Sequence, residues 1–210
     1  GELLTEIARE ETGLADKLDD AIRRLQDVDS KLRSMVARLG SLATPEQYLP
    51  EQTRANELSE QLAKSKDTTA EVFTDYSRIL KEFRVNRLPR HLIEQMNEKV
   101  VSKLGAALAE DFPATEGDYG KFHGELAANR QPPAELVFGL QQKIVVLLTK
   151  LRDIRSGIGQ GLDRHDVQRG RRRHGERPRG RRRRQHRRGP GLAPGAGRRQ
   201  RCRPRGHRHR

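Results

Sequence analysis

From Leu4 to Leu39 the chain steps alternately by three and four residues through Leu4, Ile7, Glu11, Leu14, Leu18, Ala21, Leu25, Val28, Leu32, Met35 and Leu39. All but Glu11 and Ala21 are large and apolar. A spacing of ~3.5 residues kept over about five heptads marks an α-helix with one apolar line along its length, the seam of a coiled coil or long bundle helix. Asp16, Lys17, Asp19, Arg23, Arg24 and Lys31 fall between the seam positions and suit a solvated outer face. At ~1.5 Å per residue the helix over about 2–39 would be roughly 55 Å long. Such a helix cannot bury its seam alone, so unless the seams close between chains the rest of the chain has to supply partners.

It does so with the same stepping. Gly40 suits the residue just past a helix end. Thr44 and Pro45 suit a cap and a first-turn proline, while Pro50 delays the expected start of the second helix to about residue 50. That helix, over about 50–87, carries Ala55, Leu58, Leu62, Ser65, Thr69, Val72, Tyr76, Ile79 and Phe83. Its middle, Ser65 to Thr69, is polar, so there either the partner helix offers nothing apolar or the seam carries a register-setting defect. A loop of about ten residues makes helices one and two an antiparallel hairpin. Pro89 ends the second helix, and a third over about 90–111 follows with Ile93, Met96, Val100, Leu104, Ala107 and Leu108. Pro113 and the glycines after it predict a loop over 114–120, then a short helix over about 118–129. The last helix, about 133–158, has the cleanest seam: Val137, Leu140, Ile144, Leu147, Leu151, Ile154 and Ile158. No stretch alternates with period two long enough to suggest a strand. The expected fold is therefore all-α, an antiparallel helical bundle with long coiled-coil-like helices, its core resting on Leu25, Leu32, Leu62, Ile79, Leu140, Ile144 and Leu151.

The chain's net charge of +14 conceals two unlike parts. Residues 166–210 contain 19 Arg, 8 Gly and 4 Pro but only two acids, Asp166 and Glu176. The body before them has 24 basic and 27 acidic residues. From about residue 164 onward the composition is too polar and charged to bury a core, so a disordered tail is expected. Taken at face value, arginines such as Arg171, Arg172, Arg173, Arg181, Arg182, Arg183 and Arg184 would bind nucleic acid non-specifically by displacing counterions from phosphates. Taken at the nucleotide level, the tail points to a shifted reading frame. Every residue type in 166–210 except Cys202 can be written with a codon beginning in G or C, and the segment has no Lys, Ser, Thr, Tyr or Phe. Such uniformity belongs to the third base of a GC-rich gene, so the true frame is expected to diverge near residue 164.

Catalytic and metal chemistry lack their patterns. Cys202 is the single cysteine, which excludes an intramolecular disulfide and a cysteine-based metal site. His91, His123 and His165 sit in no metal-binding pair at helical spacing. Gly157, Gly159 and Gly161 follow a helix rather than a strand, so they read as a helix stop and not as a dinucleotide loop. Asp16, Asp19 and Asp20, like Glu94 and Glu98, fit solvated helix faces, and Tyr76 and Phe83 fit a core stripe. No catalytic residue, cofactor or metal ligand is assigned. The longest apolar run, Ile144 to Leu148, is far shorter than the ~20 residues of a membrane span. No signal-peptide pattern opens the chain, and a helical pattern is already running by Leu4. The expectation is a segment of a longer protein whose targeting signals would lie upstream.

The stretch "TAEVFTDYSRILKEFRVNRLPRHLIEQMNEKV" from Thr69, with "SLATPEQYLPEQTRANELSEQLAKSKDT" before it, resembles the helical region of very large, uncharacterised bacterial envelope proteins of planctomycete type. The resemblance extends over about residues 17–163 and lies in helical texture and the phrase "YSRILKEFRVNRL". It implies an exported, scaffold-like role in the cell envelope or outside the cytoplasm, and it transfers no site residue. The expected function is thus non-catalytic: a scaffold or protein-interaction segment acting through helix–helix packing, with a protein partner or a second copy of itself. The alternative is nucleic-acid binding through the arginine-rich arm.

Sequencing the coding DNA across codons 155–175 tests the tail. One of the other two frames is expected to continue as Val-, Ala-, Asp- and Glu-rich helical sequence; an intact present frame would instead make the arginine arm genuine.

Overall fold

In a computed structural model the described residues are 2–158, with side chains described from Arg9 onward. Four helices form the bundle. The first, α1, spans Glu2–Leu39 and α2 spans Pro45–Val85. Residues 90–127 form one continuous helix, α3, made of Arg90–Met96, Asn97–Val101, Ser102–Ala106, Ala107–Asp111 and Phe112–Ala127. The fourth, α4, spans Ala134–Gly157. Packing runs α1 on α2, α2 on α3, α3 on α4 and α4 back on α1, which closes a four-sided bundle. Contacts between α1 and α2 descend along one helix as they climb the other, from Glu11–Tyr76 through Ala21–Ser65 to Arg38–Glu51, so the hairpin is antiparallel. Among the described residues there is no strand.

The core is the line of seams. Leu25, Leu32, Leu62, Ile79, Leu140, Ile144 and Leu151 are all at most 2% exposed. Tyr76, Phe83, Phe112 and Phe122 are its largest fully buried side chains. Burying one Leu or Phe contributes about 1.5–3 kcal/mol, against an intrinsic helix propensity that differs by less than ~1 kcal/mol between ordinary residues. Packing therefore decides where these helices run.

Two expectations are corrected by that rule. The second helix begins at Pro45, not near residue 50, and Pro50 lies inside it. Its start is fixed by Gln47, whose Oε1 accepts the backbone N–H groups of Ala43 at 2.7 Å and Thr44 at 3.2 Å. This brings Tyr48 and Glu51 inward one turn earlier, and both are buried. Proline so close to a helix start forfeits one backbone bond at Glu46, a cost that the added buried turn offsets.

The larger correction concerns 114–120, expected as a loop separating two helices over 90–111 and 118–129. The helix instead runs through Pro113, Gly117 and Gly120 without interruption. The reason is visible in its inward residues, which are Leu92, Met96, Val100, Leu104, Ala107 and Phe112 in its first half. These step by four, four, four, three and five. In a plain α-helix a four-residue step overshoots the face by ~40°, so the stripe would drift away from the core. Two π-turns prevent this, Asn97–Val101 and Ala107–Asp111, in which Ser102 N–H donates to Asn97 O and Phe112 N–H to Ala107 O. Each takes up one extra residue, so the roughly twenty residues from Leu92 to Phe112 complete about five turns on a constant face. From Phe112 the stripe returns to three-four steps through Thr115, Tyr119, Phe122 and Leu126. Pro113 follows the second π-turn directly, where the backbone changes from i→i+5 back to i→i+4 bonding and a missing N–H is least disruptive.

α2 and α3 each stop at a residue in the left-handed region, Arg87 (φ 53°) and Asn129 (φ 55°). Leu88 N–H returns to Phe83 O at 3.1 Å and Arg130 N–H to Glu125 O at 2.9 Å, closing the carbonyls of the last turn.

Within this packing two substitutions have opposite signs. Ile144→Ala opens a cavity in a fully buried seam and should destabilise by about 2–5 kcal/mol. Gly124 is exposed and helical, with nothing within 4 Å of an added Cβ, so Gly124→Ala should stabilise by about 0.5–1 kcal/mol. Urea unfolding of the two variants beside the parent chain measures both.

Candidate functional site

Helical bundles that act by association carry their specificity in polar groups set among apolar seams. Here those groups fall into buried hydrogen bonds and bridging ion pairs. On α2 the polar middle predicted from sequence meets α1 at its smallest seam residue. Ser65 Oγ donates to Ala21 O at 2.9 Å, and both residues are fully buried. Ala at position 21 leaves room for the approach, and a larger residue would hold the hydroxyl away. Thr69 Oγ1 turns back to Ser65 O at 2.8 Å. One turn further out, Arg24 Nη1 reaches Thr68 Oγ1 at 3.4 Å. Between α2 and α3, Tyr119 Oη donates to Ala55 O at 2.8 Å, and Gln52 Nε2 donates to Leu126 O at 2.8 Å. Burial pushes the Tyr119 phenol well above its ordinary value, which keeps it a donor.

The most enclosed charge is Glu51, near the start of α2, with its side chain 5% exposed. Arg38 of α1 grips it with two bonds, Nε to Oε1 at 3.0 Å and Nη2 to Oε2 at 3.2 Å. Arg54, one turn along α2, also pairs with Oε1. A carboxylate this deep needs such donors, since an unpaired one costs several kcal/mol.

Each side of the bundle has its own ion pair between neighbours. Lys17 meets Asp75 at 3.2 Å between α1 and α2, and Lys66 meets Glu116 at 2.7 Å between α2 and α3. Lys150 meets Asp111 at 2.7 Å between α3 and α4, where Lys143 also holds Asp118. Arg155 meets Asp19 at 2.8 Å between α4 and α1. The Lys143 ammonium, bonded to Asp118, holds that carboxyl below the usual carboxylate range. Exposed pairs of this kind contribute little stability, but they disfavour a slipped or reordered arrangement.

The residues weighed from sequence are distributed as follows. Tyr76, Ile79 and Phe83 are in the core. Asp19 and Asp20 are paired with Arg155 and Arg23, and with Asp16 they line a shallow hollow of about 500 Å³ on the outside of α1. Glu94 pairs with Arg90 at 2.7 Å on the surface of α3. His91 is exposed, while His123 is half-buried beside a hollow of about 260 Å³ between α2 and α3, with Asn56, Ser59 and Glu116. No group of three or more His, Cys, Asp or Glu side chains among the described residues could hold a metal ion. None of the described helices is long and apolar enough to cross a membrane. His165, Gly159, Gly161 and the arginines Arg171, Arg172, Arg173, Arg181, Arg182, Arg183 and Arg184 lie outside the described residues.

Glu51, Arg38 and Arg54 were not singled out from sequence. The signal was there: carrying the α2 stepping back from Ala55 by four and three reaches Glu51 and Tyr48, which places a carboxylate in the seam. Pro50 obscured it.

Removing that carboxylate leaves Arg38 and Arg54 side by side without their shared partner. Glu51→Ala should destabilise by about 1–3 kcal/mol, whereas Glu94→Ala, on the exposed surface of α3, should leave the thermal midpoint nearly unchanged; parallel thermal melts compare them.

No protein-family model, curated protein or solved structure matches the chain.

Proposed function

We propose that the chain is a non-catalytic scaffold or protein-interaction segment of a longer bacterial protein, and that it works through helix–helix packing. What carries the reading is how the polar interior is used. Every buried side-chain nitrogen or oxygen among the described residues already has a hydrogen-bond partner within the bundle. Catalytic sites characteristically leave reactive groups open in a cleft for substrate. The inward groups here hold helices in register instead.

Association would use the outer faces. Phe138 on α4 is 64% exposed, and Val145 and Val146 on the same helix are also exposed. Covering them with a protein partner or a second copy would add burial that the bundle itself does not provide. The envelope location implied by the resemblance over 17–163 belongs to the same proposal and suits a module that spaces or links other parts.

Nucleic-acid binding by the tail is the second reading, and the 19 arginines of 166–210 favour it. Deleting 165–210 separates the two. For a scaffold, the truncated chain keeps its helical circular dichroism and its sedimentation behaviour, and it loses only salt-sensitive binding to duplex DNA. If truncation abolishes a sequence-selective DNA complex that survives in the intact chain at physiological salt, the arm is the functional element. Phe138→Ser with Val146→Ser should weaken any association seen by sedimentation; unchanged association would place it elsewhere.

A further inference from the structure

Glu11 occupies a seam position of α1 at which every other large side chain is apolar, and it is 4% exposed. The phenol of Tyr76, itself 1% exposed, donates to its Oε1 at 2.6 Å. Unlike Glu51, Glu11 is paired with no cation among the described residues. On α1, Arg9 is exposed, Glu10 reaches Arg78 at 3.5 Å, and Lys17 is engaged with Asp75 and Glu71. On α2, Arg78 is also held by Glu82 at 2.9 Å. The inward residues at the start of α3 are Leu92, Met96 and Val100, which do not titrate, while His91, Glu94 and Lys99 are exposed. α4 ends at Gly157, and Arg155 in its last turn is committed to Asp19, two turns from Glu11. Before Asp19, the side-chain bonds of Glu10, Glu11 and Lys17 all reach across to α2.

We propose that Glu11 and Tyr76 form a proton-controlled latch: a neutral Glu11 lets the first turns of α1 seat against α2, and its ionisation loosens them. The physical basis is the asymmetry of burial. A neutral carboxylic acid under a phenol is an ordinary buried hydrogen-bonded pair, but a carboxylate there loses its hydration with one neutral donor in return. Burial accordingly raises the Glu11 pKa from its ordinary 4.5, and the Tyr76 bond offsets part of the rise. Burial first, and the neighbouring carboxylate second, push the Tyr76 phenol far above its ordinary range, so Tyr76 stays a donor and Glu11 is the member that titrates.

The sign follows from the raised folded value. Below the open-state value near 4.5 the acid is neutral whether the latch is open or shut, and its stabilisation is complete. Above that value the open form releases its proton first. Opening then becomes about tenfold more favourable for each pH unit until the folded value is passed.

Hydrogen exchange of the full chain, corrected for intrinsic chemistry, reads this directly at amides 9–18, with amides 140–151 of α4 as the internal reference. Protection of 9–18 is expected to fall as the pH rises above 4.5, by at most about tenfold per pH unit and only until the folded value is passed, while the reference holds. Glu11→Gln, neutral at every pH, should remove that dependence. A flat profile in the parent chain, or the same slope in Glu11→Gln, would overturn the latch. Should the variant not fold, carbon-13 titration of the Glu11 carboxyl in the parent chain decides: a midpoint above 4.5 supports the latch and one at or below it does not.

Discussion

A stripe of side chains can be buried only while it stays on one face, and four helices around one core must each keep theirs there over their whole packed length. α1 does so with three-four steps and an ordinary backbone. α3 has the wrong spacing in its first half and changes its backbone twice to compensate. The trade is uneven. A π-turn weakens one or two backbone bonds, each contributing about 1 kcal/mol net, whereas turning Val100, Leu104 and Phe112 out of the core would forfeit about 1.5–3 kcal/mol apiece. Seam continuity therefore outranks helix regularity in this molecule. The same ordering carries α2 through Pro50 and α3 through Pro113.

Polar residues in the seams do a different kind of work. A leucine in place of Ser65 would bury more area, and its side chain could pack at several heights along α1. The hydroxyl of Ser65 has one partner, Ala21 O, and one height at which it is satisfied. Glu51 acts likewise, since a slip of one turn would separate it from Arg38 and strand a buried charge. Among the described residues Glu11 has the Tyr76 phenol as its partner where Glu51 has two guanidinium groups. Two carboxylates at equivalent inward positions thus have unlike consequences, set by their neighbours.

The sequence made the all-helical class, the antiparallel hairpin and the buried seams legible, because three-four spacing reports burial directly and burial dominates the energetics. Leu140 to Leu151 in α4 and Leu25 to Leu32 in α1 are clear cases. What was misread was local punctuation. Pro50, Pro113, Gly117 and Gly120 carry strong breaker signals, yet each breaker costs only about 1–3 kcal/mol and was outweighed by the apolar residues on either side. The steps of four, four, four, three and five in α3 did contain the answer: a stripe that drifts in register without losing its hydrophobicity calls for inserted residues rather than a loop. The buried polar groups were legible in part. Ser65 and Thr69 stood out as polar seam positions, while the partner Ala21 O is a backbone atom that no side-chain pattern announces.

The division of charge between inside and outside narrows where a partner could act. Ion pairs occupy all four helix–helix boundaries, from Lys17–Asp75 round to Arg155–Asp19, so much of the charge beside the seams is already compensated. A partner that approached by charge alone would have to compete with those pairs in high dielectric, where each is weak but numerous. An apolar approach meets no such competition at Phe138, Val145 and Val146. α4 is also the shortest of the four helices, at 24 residues against 38 in α1 and 41 in α2. A contact at these three residues would add apolar burial outside the seam, which α4 already fills against α1 and α3.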